Sequence, residues 1–293
     1  NSKMPISVLN TLPRIIEQVF NPGLKKSDGG AEDVILGRYV TLVFSLFTIL
    51  LVFQFASEWY GRKAGLFAAL LMSVCPNNLA ASVLVTTDAY SSFFMLATIY
   101  AAWKFSANNT MRNFILFALC VALSQVVKQS LTYLYVLAPI CIWISWTSQK
   151  KRAGWKQIFS WLLVFIIVNW VVINSAYLFY KPFTPIKDYH FYSDFFISIQ
   201  NLLPANFPVP ISQPYITGLD MAKYCDQIGG GYRGNPESSF GNVTILGESK
   251  TGGGFWYYYF VTFFYKTPIG ILIFIACSTW YAVAKRRMAG FFA

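Results

Sequence analysis

The sequence predicts an all-α polytopic membrane protein, and three observations lead there. Of the 293 residues, 56% are hydrophobic and 12% charged, with a mean hydropathy of +0.48. Apolar runs of bilayer length recur along the chain, and Lys and Arg gather in alternate short connections between them. That balance excludes the ordinary water-soluble classes.

A helix needs roughly 20 apolar residues to cross a hydrocarbon core, within about 17–25. The first run, Leu36–Ala56, carries Arg38 at its start. The second, Ala64–Leu84, begins behind Arg62 and Lys63. The third, Asp88–Trp103, opens on a carboxylate and closes on Lys104, and Arg112 precedes the fourth, Asn113–Val127. Lys128 stands in the short connection to the fifth, Leu131–Trp146. The sixth, Ile158–Phe179, follows Lys150, Lys151, Arg152 and Lys156, and the seventh, Thr267–Ala284, runs into Lys285, Arg286 and Arg287.

Seven spans and four regions follow. Residues 1–35 form part of a first outer-face loop, and 36–179 a six-helix transmembrane region. Residues 180–266 form a long outer-face loop with an interfacial aromatic segment, and 267–293 the last span with a basic cytoplasmic end. By the positive-inside rule, the connections at Arg62, Lys104, Lys150–Lys156 and Lys285 are cytoplasmic. The net charge of +11 therefore reads mainly as topology and does not call for nucleic acid. A loop as long as 180–254 on a membrane scaffold is usually functional. Asn1 is not an initiator Met and the chain stops soon after a basic stretch, so it reads as a piece of a longer protein.

Chemistry is expected at the outer ends of the spans. Asp88, behind Thr86 and Thr87, has two readings: a helix N-cap, or a functional carboxylate facing a cavity in the bundle. Lys128 is either a snorkelling lysine or one of two ammoniums, with Lys266, around that cavity. A carboxylate beside two cations suits a lipid-linked phosphate. In GGGFWYYYFVTFFYKTPIGILIF the Lys-Thr-Pro interrupts an apolar tract too long for one span. Thr267 is expected to cap and Pro268 to take the first helical position, with Phe255–Tyr265 lying along the interface as an aromatic belt. Arg38 reads first as an interfacial anchor.

Other residues exclude chemistries. His190 is the only histidine, which argues against a multi-histidine metal site or a Ser/His triad. The glycines at Gly229–Gly231 and Gly252–Gly254 lack the Lys-Ser/Thr of a phosphate loop. Of the five cysteines only Cys225 lies outside the spans, so no disulfide joins the loops.

The stretch VCPNNLAASVLVTTDAYSSFFMLATIYAAWKF resembles the region of polyprenyl-phosphate-dependent membrane glycosyltransferases, the GT-C class, in which a Pro-ended helix leads to an outer-loop Asp. KMPI at Lys3–Ile6 is similar to the Lys/His-Pro-Pro-Leu element of the first outer loop, with one Pro fewer. VVKQS at Val126–Ser130 is similar to a Thr-Lys-Gly stretch, with Gln in place of Gly. VTILGESKTGGGFWYYYFVTFFYKTPIG resembles the Leu-Gly-Glu, Gly-Trp-Trp-Tyr-Tyr-Phe and Lys-Thr-Pro series of protein O-mannosyltransferase-like and aminoarabinose-transferase-like members.

The resemblance implies a GT-C helix bundle with interfacial helices and a sugar donor on a polyprenyl phosphate. It implies a protein, lipid or glycan acceptor on the outer face of a bacterial plasma membrane, and membrane lipids as surroundings. Asp88 becomes the catalytic candidate. Lys3, Lys128, Lys266 and Arg38 become donor-phosphate contacts, Lys3 the best supported among the lysines. Metal dependence is left unassigned by the resemblance: family members differ, and Glu248 or Asp88 is the candidate ligand for a divalent cation. The family's usual base, an outer-loop acid, belongs ahead of Asn1, so this piece alone is expected not to turn over. Glu17, Asp28, Glu32 and Asp33 are poor substitutes. The competing classes are a transporter and a non-catalytic membrane subunit.

Overall fold

The computed structural model describes residues 31–148, 154–228, 242–251 and 254–291. Seven helices build the bundle: α1 (Ala31–Tyr60), α2 (Arg62–Ser73), α3 (Pro76–Val83), α4 (Asp88–Ala107), α5 (Met111–Val127), α6 (Leu134–Ser148) and α7 (Trp155–Ala176). A 3-10 turn, Gln129–Tyr133, joins α5 to α6.

α4 and α5 are its centre. On α4 the buried positions Ala89, Tyr90, Thr98, Ala101, Ala102 and Phe105 recur at helical spacing, and on α5 Phe114, Ala118, Val121, Ala122 and Gln125 do the same. Alanines on both helices let the backbones approach closely, as membrane bundles require. At the Lys104 end, Phe105 meets Trp161 edge-on at 4.9 Å and packs on Phe114 and Trp146. Polar seams cross the bundle where Ser145 bonds Ser106 at 2.9 Å and Tyr135 donates to Asn169 at 2.9 Å. The outward faces of α1, α6 and α7 remain apolar and open. That is expected of helices solvated by lipid, in which every backbone group is satisfied within the segment.

The sequence reading expected about seven spans. Among the described residues three helices are long and apolar enough to cross a bilayer, Gly37–Tyr60, Gln129–Thr147 and Trp155–Ala176, or up to five if each of two bent pairs makes one crossing. The expected span Ala64–Leu84 is one such pair, bent by 59° between α2 and α3. Pro76, at the first turn of α3, has no N–H to continue the preceding ladder. α5 has only 17 residues, and the apolar run of α4 is diluted by Tyr, Ser and Lys.

The described residues of the long segment after α7 are structured. α7 ends in a Schellman motif: Phe179 N–H bonds Asn174 O at 2.8 Å and Leu178 N–H bonds Ser175 O at 3.0 Å. Leu178, with φ 52°, holds the left-handed position usually given to Gly. Strand β1 (Thr184–Pro185) pairs antiparallel with β2 (Pro208–Val209) around α8 (Asp194–Leu202), and α9 (Gln213–Ile228) follows. Buried Asn174 fastens this unit to the bundle by accepting from Ser212 N–H and Oγ, both at 2.8 Å. Asp220, also buried, accepts from Tyr192 N–H, Ser193 N–H and Ser193 Oγ at 2.9, 2.9 and 2.6 Å. Both side chains are conspicuously well satisfied, as buried polar groups must be.

The hairpin of β3 (Asn242–Ile245) and β4 (Glu248–Thr251) turns on Leu246 and Gly247, both at positive φ, the geometry of a two-residue type I′ connection. Then α10 (Tyr258–Lys266) meets α11 (Ile269–Phe291) at 108°. The break falls at Lys-Thr-Pro as expected, with one change. Pro268, through its carbonyl to Leu272 N–H, heads α11 one position later than the sequence reading placed it.

Candidate active site

The loop between α3 and α4 presents Asp88. Ala89 and Tyr90 directly behind it are buried, and Tyr90 packs edge-on against Phe44 of α1 at 5.0 Å. Gly37 of α1 sits against Val85 so closely that a Cβ there would lie 2.7 Å from a Val85 methyl. Thr41 Oγ1 donates to Ser82 O at 2.8 Å. Three contacts with α1 therefore fix the start of α4.

Asp88 is not the N-cap that one reading expected. Thr87 holds that position, with helical backbone angles and no side-chain cap bond, and Asp88 is the first helical residue. Its carboxylate is directed instead to Lys128, whose Nζ donates to Oδ1 at 2.9 Å. The Lys128 and Asp88 side chains are 39% and 60% exposed. A pair so open contributes no more than about 1 kcal/mol to stability. Both groups thus remain accessible to a ligand.

Lys128 owes its place to the end of α5. Its N–H still bonds Ser124 O, its backbone then turns extended, and the 3-10 turn begins immediately. Fully buried Gln125 clasps that turn, with Nε2 donating to Leu131 O at 3.1 Å and Oε1 accepting from Thr132 Oγ1 at 3.2 Å. Sequence reasoning passed over Gln125; a lone amide within an apolar run was the available signal.

Lys266 comes from the far end of the chain to the same place. Asn77 Nδ2, in the first turn of α3, donates to Lys266 O at 2.8 Å, and the Lys266 charge acts on the Asp88 carboxylate. Phe67 and Phe274, 5.6 Å apart, join α2 to α11 and hold that approach. Arg38 lies beside Gly37 at this level, exposed and without an ion pair among the described residues. Lys3, Glu17 and Asp28 fall outside the described residues, as do the side chains of Glu32 and Asp33.

Around this cluster stand two aromatic features. α10 exposes Tyr259, Phe260, Phe264 and Tyr265 next to Lys266. α9 covers the 3-10 turn, where Tyr215 packs with Tyr177 and Val126, and burial pushes the Tyr215 phenol up, keeping it a neutral donor. Glu248, exposed at the start of β4, interacts with Tyr257. Among the described residues no three His, Cys, Asp or Glu side chains converge.

The other end of the bundle carries a second ion pair. Lys104 Nζ lies 2.7 Å from Glu58, which also accepts from Tyr100 and Gln54. Lys104 additionally sits over the Trp103 and Tyr100 rings. Held by Glu58 and by both rings, Lys104 reads as structure.

Residues 32–177 match the family model described as dolichyl-phosphate-mannose-protein mannosyltransferase. The matched region takes in Arg38, Asp88 and Lys128 and ends just after α7. No curated protein and no solved structure gives a significant match.

Proposed function

Through residues 32–177 the chain belongs to the dolichyl-phosphate-mannose-protein mannosyltransferase family, whose members are glycosyltransferases using a sugar carried on a polyprenyl phosphate, and from that premise we propose that the Asp88 end of the bundle is its donor site. The observation that carries the reading is the exposed 2.9 Å Lys128–Asp88 pair, with Lys266 brought to this end through the bond of its carbonyl to Asn77 of α3. Two ammoniums and one carboxylate at the rim of a lipid-facing bundle match what a lipid phosphate bearing a sugar requires.

The reaction is a single displacement at the anomeric carbon. The acceptor oxygen forms the new glycosidic bond as the carbon–oxygen bond to phosphate breaks, and the polyprenyl phosphate leaves with the electron pair. Lys128 and Lys266 neutralise charge growing on that phosphate, the kind of preorganised electrostatic help that dominates many enzymes. Lys128 has three N–H donors, so it can bind a phosphate oxygen while still holding Asp88. Asp88 orients Lys128 and, as the carboxylate of this cluster, is assigned to accept the acceptor's proton. Arg38 and Lys3 supply further positive charge to the phosphate.

Sidedness follows from charge. Arg62, Lys104, Arg112 and Lys156 all stand at the end opposite Asp88, and under the positive-inside rule this supports a cytoplasmic reading for that end and an outer-face reading for the donor site, in the bacterial plasma membrane the sequence reading expects. The acceptor is a protein, lipid or glycan reaching the site under α9 and α10.

The test is transfer of radiolabelled sugar from a polyprenyl-phosphate sugar to the membrane and protein fractions of cells expressing the complete reading frame. Label in an acceptor supports the reading. Uptake of free sugar into vesicles, with no transfer, would instead make the chain a transporter, and neither activity would leave a non-catalytic subunit.

A further inference from the structure

Gln129 follows Lys128, and its side chain runs up against α9. A Cβ built on Gly218 of α9 would lie 2.7 Å from Gln129 Nε2, 3.3 Å from its Cδ and 3.6 Å from its Cγ. The same amide lies 3.5 Å from Tyr177 Oη, and Gln129 O accepts from Thr132 Oγ1 at 2.5 Å. Gly218 is buried within a helix, where Gly costs roughly 1 kcal/mol relative to Ala. Its backbone angles do not call for Gly. The missing side chain is therefore room for Gln129.

Resting on the proposed donor site, we infer that Gln129 and Gly218 form a fitted pair through which α9 positions Lys128. The turn bearing Lys128 is clasped from within the bundle by Gln125 and from outside by α9 at Gly218. The unit after α7 is thereby joined to the lysine assigned to the donor phosphate. Gln129 and Gly218 are positioning residues, since neither reaches the phosphate or the sugar. A side chain at 218 displaces the Gln129 amide from Tyr177 and so loosens the tie between α9 and the turn that carries Lys128.

A double-mutant cycle tests the pair in the complete protein, read as donor KM and kcat in the transfer assay. Gly218→Ala is expected to raise donor KM about fivefold and leave kcat within about twofold, the scale of coupling between contacting residues. In the Gln129→Gly background the same substitution no longer meets the amide and should leave donor KM where Gln129→Gly alone sets it. The conservative Gln129→Asn, shorter by one methylene, should relieve part of the Gly218→Ala effect. A general weakening of the fold would lower kcat and melting temperature in both backgrounds, and that additive result would overturn the inference. Unchanged donor KM in Gly218→Ala would overturn it too. A wild-type protein without transfer fails the functional reading itself; an active wild type with an additive cycle fails only the positioning pair.

Discussion

Replacing Asp88 with Asn separates the two roles this carboxylate could play. The carboxylate's partner among the described residues is Lys128 Nζ, and no cap bond of α4 depends on it. The pair is exposed, so its loss costs at most about 1 kcal/mol of stability. Asn Oδ1 can still accept from Lys128, which reduces that cost further. If Asp88 orients the donor lysine or takes the acceptor proton, the rate falls by about 10²–10⁴, equal to about 3–5 kcal/mol of transition-state stabilisation. The expected catalytic loss is thus several times the expected stability loss. Asp88→Asn in the complete protein should keep the wild-type elution profile in detergent and melt within a few degrees of wild type, while transfer from the polyprenyl-phosphate sugar drops at least about a hundredfold. Turnover near wild type would refute the assignment. So would an activity loss that simply tracks a lowered melting temperature.

Lys128→Gln, Lys266→Gln and Lys3→Gln remove point charges that glutamine cannot supply, and each should raise donor KM about tenfold with little change in acceptor KM; steady-state titration of each substrate checks this. In a background lacking the native cysteines, Ser198→Cys should react with a membrane-impermeant maleimide in intact cells and Lys156→Cys only after permeabilisation; the reverse pattern would invert the topology. Leu178, 88% exposed at φ 52°, packs little and occupies the Schellman position that favours Gly. Leu178→Gly should therefore raise the melting temperature slightly, relief of about 1–2 kcal/mol being partly offset by the entropy of Gly, about 0.5–1 kcal/mol. A drop in melting temperature would show that Leu178 makes contacts the structure does not contain.

The helices were legible because their signal is local. Long apolar runs, the basic residues between them and Lys-Thr-Pro before α11 all act within a few residues of where they stand. The number of unbroken spans was not. Pro76 bends α2 from α3 by 59° inside a run that is apolar enough overall to read as one span. The candidate site was half visible. Asp88, Lys128 and Lys266 stood out as charges at helix ends, and the structure brings the first two within 2.9 Å and the third into their field. Whether Asp88 caps its helix was undecidable from sequence, since Thr87 and Asp88 are both good caps and only the position of Lys128 chooses between them. Gln125, Asn174, Asp220 and Gly218 were hidden for the opposite reason. Each acts on residues distant along the chain or across a turn, and each is an ordinary residue in its own neighbourhood.

The claim that the Asp88 end binds the lipid phosphate is tested most directly by photocrosslinking. A polyprenyl phosphate carrying a benzophenone next to the phosphate, irradiated with the complete protein in membranes, should label peptides around Asn77–Asp88, Lys128–Thr132 and Tyr258–Lys266, with excess unlabelled donor competing. Competed label around Glu58, Lys104 and Arg112, at the other end of the bundle, would contradict the account.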